Sequence, residues 1–111
     1  MKYVKGTVNF MVNFHSESVE RLFEAILALE NKDECYAFFE DLLTVKEVQD
    51  MAQRMEVAEL LDKGMNYQQI SKQVNVSTAT ISRVNKCLSY GSGGYRSILD
   101  RLKSREGAKS E

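Results

Sequence analysis

Thr78, Ala79, Ser82, Arg83 and Lys86 recur in this 111-residue chain at spacings that put all five on one side of a helix. Their chemistry suits the edge of a base pair. Small residues at the front of such a helix let its backbone approach the floor of a major groove. Hydroxyls can meet any base edge there, and arginine and lysine reach guanine or phosphate. The opposite stripe, Ile81, Val84 and Leu88, is apolar and faces a core.

The elements that must position this face are legible around it. Ser77 is the expected N-cap of the helix, because its hydroxyl can accept one of the unpaired amide hydrogens of the first turn. Before it, Asn66 and Gln69 form a capping box that opens a shorter helix presenting Ile70 and Val74 inward. Asn75 is the expected corner, since asparagine enters the left-handed region at low cost, and Val76 plugs inward. The small Ser71 lets the two helices cross closely. Residues 66–89 therefore read as a helix-turn-helix. Its candidate DNA contacts are Gln68, Gln69 and Lys72 on the first helix and Ser77, Thr78, Ala79, Thr80, Ser82, Arg83 and Lys86 on the second. A hairpin buried in a core would share the apolar stripes but not this polar outer face.

Charge supports the same surface once its distribution is considered. The whole chain carries −1, which alone argues against nucleic acid. From Lys63 to Arg96, however, there is no Asp or Glu, while Lys63, Lys72, Arg83, Lys86 and Arg96 contribute five positive charges. The rest of the chain is left at −6. An acidic body with one basic face suits a phosphate-facing domain.

The remaining sequence predicts an all-α fold of about six helices. Proline is absent and 43% of residues are apolar, at helical spacing. Residues 1–14 alternate loosely and belong to no clear helix. Ser16 or Ser18 caps a first helix whose apolar residues, Val19, Leu22, Phe23, Ile26, Leu27 and Leu29, continue to Asn31. A second opens near Asp33 and runs through Phe38, Phe39, Leu42 and Leu43. Apolar residues cover this pair on nearly all sides, which asks for a second subunit. Thr44 with Glu47 forms a capping box for the longest helix, whose expected buried stripe is Val45, Val48, Met51, Ala52, Met55, Ala58 and Leu61, closed by Gly64. After the glycine-rich joint 91–94, Tyr95, Ile98, Leu99 and Leu102 mark a last helix. Residues 104–111 are expected to be a disordered tail, which leaves 15–103 as the domain.

The run from Leu42 to Gly91 resembles the tryptophan repressor family. The Leu-Leu-Thr helix opening, Arg54 further along that helix, the L-L-x-x-G-M helix end and the A-T-I-S-R of the second motif helix carry the resemblance. More narrowly, the chain resembles a branch of repressor-like proteins of uncharacterised regulatory role in Gram-positive bacteria. The resemblance implies an intertwined, all-helical homodimer with two reading heads spaced for a palindromic operator in double-stranded DNA. It implies a phosphate contact at Gln68 and base reading by Thr78, Ala79, Thr80 and Ser82. It also implies an effector pocket in which Arg54 and Arg83 sandwich an aromatic corepressor, with Leu42, Leu43 and Thr44 as its wall. Val84 departs from the pattern, standing where the family has glycine. A β-branched residue there fills the volume an indole would need, so tryptophan is not the expected ligand.

The expected function is sequence-specific DNA binding in transcription regulation, repressor-like; the alternative is a helix-turn-helix module used for protein contact without DNA. Catalysis is not expected. His15 is the sole histidine and has no nucleophile near it in sequence, and the carboxylates sit at helix-pairing spacings. Cys35 and Cys87 have no second ligand at metal spacing and read as inert thiols, so neither metal nor cofactor is expected. No stretch approaches the roughly 20 apolar residues of a membrane helix, and a cytoplasmic location is expected.

Overall fold

The computed structural model of the chain describes residues 15–110, so the segment 1–14 lies outside the described residues. Six helices and no strands occur among them: α1 (Glu17–Leu27), α2 (Lys32–Leu42), α3 (Val45–Asp62), α4 (Tyr67–Gln73), α5 (Thr78–Tyr90) and α6 (Gly94–Ser110). They divide into two compact units, 1–43 and 44–111.

The first unit holds α1 and α2. Ser16 caps α1 by accepting from the Val19 amide, and the acidic Glu17 and Glu20 lie in the first turn, where the helix dipole favours them. The helix stops at Leu27, short of Asn31, because Asn31 is itself the cap of α2: its Oδ1 accepts from the Glu34 amide at 2.9 Å. Phe38 and Phe39 meet edge to face with ring centroids 5.4 Å apart. Neither helix has a buried residue. Leu27 is 84% exposed and Tyr36 69%.

The second unit is built on α3. Its capping box is complete: the Glu47 amide donates to Thr44 Oγ1 and the Thr44 amide to Glu47 Oε1, at 3.2 and 2.8 Å. The Thr44 amide and then its hydroxyl, both donating to the ionised carboxylate, hold the Glu47 pKa below its ordinary value. At the other end Gly64 takes φ +90°, so that its amide reaches the Leu61 carbonyl and the Met65 amide the Leu60 carbonyl. That pair of bonds satisfies the last carbonyls of α3 and turns the chain toward α4.

The core comprises Val57, Ala58, Leu60, Ile70, Val74, Ile81, Val84 and Leu99. It draws on α3, α4, α5 and α6, with α5 packing against the other three. The stripe expected on α3 is buried only in part. Ala58 is buried and Met55 and Leu61 pack against the core, but Val45, Val48, Met51 and Ala52 are exposed, while Val57 and Leu60 are buried instead. The reason is length. The buried residues of the 18-residue α3 all lie in its C-terminal half, where the shorter α4 and α5 pack against it.

The corner between α4 and α5 also differs from expectation. Among the described residues no non-glycine has positive φ, so Asn75 does not adopt the left-handed conformation. The Val76 amide instead donates to the Val74 carbonyl at 2.6 Å, an i to i+2 bond closing an inverse γ-turn centred on Asn75. The last helix also differs from expectation. It continues to Ser110 instead of giving way to a tail at 104, because nothing in that stretch ends a helix: there is no proline, and Gly107 does not turn left-handed.

α6 is pinned by a charge cluster. Asp62, whose side chain is 12% exposed at the end of α3, meets Arg96 Nη2 at 2.5 Å and Lys103 Nζ at 2.6 Å. Hydrogen bonding to Arg96 and then to Lys103 holds the Asp62 carboxyl below its ordinary value of 3.8, outweighing burial. A depressed folded pKa contributes stability that is whole above pH 3.8 and is lost as pH falls through the folded value. Asp62→Asn should cost roughly 1–2 kcal/mol in urea melts at pH 7, and that deficit should shrink toward zero in melts at progressively lower pH below 3.8.

Candidate nucleic-acid interface

Helix α5 separates two chemistries cleanly. Ile81 and Val84 are buried and Leu88 half-buried, whereas Thr78, Ala79, Ser82, Arg83 and Lys86 are all exposed. Helical spacing arranges the exposed set in two rows, Thr78, Ser82 and Lys86 in one and Ala79 and Arg83 in the other. No acidic residue interrupts them. A face of small, hydroxylic and cationic groups on a helix anchored along its opposite stripe is what entry into a major groove requires.

The structure thins the candidate set by showing which polar atoms are already engaged. Ser77 Oγ accepts from the Thr80 amide and lies 3.2 Å from Thr80 Oγ1, so these two hydroxyls serve the cap. On α4, Gln69 is committed to the capping box: its Oε1 accepts from the Asn66 amide, and its own amide donates to Asn66 Oδ1, both at 2.9 Å. Gln68 and Lys72 are exposed on the same short helix. Gln68, Lys72, Thr78, Ala79, Ser82, Arg83 and Lys86 thus remain on the surface of one packed helix pair.

The expected effector residues are distributed differently. Leu42 and Leu43 close the first unit, and Thr44 is the engaged cap of α3. Arg54 on α3 is half-buried and Arg83 on α5 exposed. Both act electrostatically on Tyr95 of α6: burial pushes its hydroxyl pKa up, and the charges of Arg54 and Arg83 pull it back down. The charges of both arginines are thus felt at one side chain of α6. Tyr95 was not singled out as a site residue from sequence; a tyrosine at the start of an amphipathic helix reads as ordinary packing, which is also part of its role.

Val84 is 1% exposed and packs in the core with Ile81 and Leu99. The γ-methyls are structural.

The model of the Trp repressor protein family matches residues 17–103, more than half of the chain. The chain belongs to the Trp repressor family. It is 48% identical over 90 residues to an uncharacterised protein, YerC, of Bacillus subtilis strain 168, covering 81% of this chain and 86% of that one. Among solved structures it is similar to a TrpR-like protein from Eubacterium eligens, with TM-score 0.80 and 44% identity over 83% of this chain and 95% of the other. A Trp repressor-type protein from Staphylococcus aureus matches with TM-score 0.80 and 44% identity, covering 84% and 93%. Membership accounts for the helix-turn-helix, and the TM-scores show that the fold agrees with both structures. Val84, where the resemblance led to an expectation of glycine, has a position in the core.

Val84→Gly should therefore lower stability by about 3 kcal/mol in a urea melt, combining a core cavity with the loss of helix propensity. A change under about 1 kcal/mol would mean that the side chain does not pack as described.

Proposed function

We propose that this protein is a transcription regulator that binds a palindromic duplex operator as a homodimer, each subunit inserting α5 into the major groove. The observation that carries the reading is the two-sided character of α5, its buried Ile81 and Val84 set against the exposed Thr78, Ala79, Ser82, Arg83 and Lys86. Family membership and the absence of carboxylates from Lys63 to Arg96 support it. Gln68 and Lys72, on the preceding helix, are assigned to phosphate, the usual role of the first helix of the motif.

The homodimer is supported by apolar surface. Neither α1 nor α2 buries a residue, and Phe23, Leu27, Tyr36 and Leu42 are exposed in the first unit. The second unit exposes Val45, Val48, Met51 and Ile98. Covering such faces with a second copy removes them from water, which gains about 25 cal/mol per Å². Two reading heads related by a twofold axis then fit half-sites one helical turn apart.

Free tryptophan is not required in this reading. A charge-assisted bond from Arg54 or Arg83 to a ligand carboxylate is worth ~1.5–3 kcal/mol, but an indole seated against Val84 would displace a packed core residue at ~1–3 kcal/mol. The two roughly cancel.

Fluorescence titration with duplexes selected from genomic DNA by the purified chain tests the function. Binding should be tight without tryptophan and should weaken linearly with the logarithm of salt. Lys72→Ala or Lys86→Ala should each reduce the salt slope by about one while weakening binding to all sequences alike. Unchanged slopes in both would remove α4 and α5 from the interface. Assembly is tested by light scattering: the unsubstituted chain should have the mass of a dimer. Leu27→Asp, at a side chain 84% exposed in the single chain, should shift it to monomer with its helix content kept. A monomeric unsubstituted chain would contradict the dimer.

A further inference from the structure

The reading face of α5 carries a restricted chemical alphabet. Bidentate recognition of adenine needs Asn or Gln, and recognition of the cytosine amino group needs Asp or Glu. Neither kind faces outward there. The one amide on α5 beyond its cap, Asn85, is half-buried beside the core stripe, and the helix has no carboxylate at all. The hydroxyls thin further, because those of Ser77 and Thr80 are engaged with each other and with the Thr80 amide. What remains in the first two turns is the Ala79 methyl, the Thr78 side chain, the Ser82 hydroxyl and the Arg83 guanidinium, all exposed.

Resting on the DNA-binding reading above, we propose that the operator half-site is chosen by thymine and guanine alone. The methyl groups of Thr78 and Ala79 pack on thymine C5-methyls, and Arg83 donates to the O6 and N7 of a guanine. Ser82 can donate to or accept from any base edge and adds no preference. Geometry sets the spacing. Ala79 and Arg83 are four residues apart in one row, about 6 Å along the helix axis, which corresponds to roughly two base pairs. The half-site therefore carries a T·A pair and a G·C pair about two steps apart. Its adenines are there as partners of thymine and are not themselves read.

Modified DNA tests this with the protein unaltered. A duplex is selected from a random pool by the full chain, then resynthesised with deoxyuridine for thymidine, with 7-deazaguanine for guanine, or with 7-deazaadenine for adenine, and each affinity is measured by fluorescence anisotropy. Loss of a buried methyl contact should weaken binding about fourfold for each thymine contacted, and loss of the guanine N7 acceptor about tenfold for each guanine contacted, the factors multiplying over the two half-sites. The adenine substitution should leave affinity unchanged. Ala79→Gly, with its fold checked by circular dichroism, should abolish the penalty for uracil at one position of each half-site, since the partner methyl is already gone. Equal affinity for the thymine and uracil duplexes and for the guanine and 7-deazaguanine duplexes overturns the proposed code while leaving DNA binding intact. So does an adenine penalty as large as the guanine one. A chain that retains no duplex from the pool overturns the function proposed above and this inference with it.

Discussion

The packing of Ile81 and Val84 into the hollow formed by Val57, Ala58 and Ile70 fixes almost everything else in the second unit. These five residues are essentially inaccessible to solvent and come from three helices. With so few buried side chains in the unit, a helix anchored by two of them has no freedom to roll. The roll of α5 sets which residues face outward. Rotating it by one residue, about 100°, would bury Ser82 and expose Ile81, so core packing and surface chemistry are two readings of one constraint.

The same constraint claims Val84. Its methyls are among those that seat α5 in the hollow, and it follows Arg83 directly in the chain. A smaller residue would loosen the helix that presents Thr78 and Ala79. In this chain the volume goes to packing. Arg54 and Arg83 act on Tyr95, and Arg83 on whatever approaches the outer face.

Local features of the fold were legible in the sequence because each is decided within four residues. The caps at Ser16, Thr44, Asn66 and Ser77 and the left-handed Gly64 need only their neighbours, and all are present. The outward set on α5 was legible for a related reason, since Ile81, Val84 and Leu88 fix its phase by spacing alone. Features that depend on distant chain were not. Asp62 finds Arg96 34 residues away and Lys103 beyond it, and neither pairing leaves a periodic signal. The buried half of α3 could not be separated from its exposed half, because Val45 and Val57 are the same residue type with opposite surroundings. Asn75 misled through its own versatility: a γ-turn with negative φ solves the corner as well as a left-handed residue does.

The central claim is that the outer face of α5 is a DNA-reading surface held in phase by its buried stripe. Amide chemical-shift mapping during titration with a selected operator duplex tests it most directly. The account predicts that the largest perturbations fall on residues 78–86 and at the start of α4, with Val57 and Leu99 nearly unmoved. Perturbations concentrated elsewhere, with 78–86 silent while the duplex is bound, would contradict it.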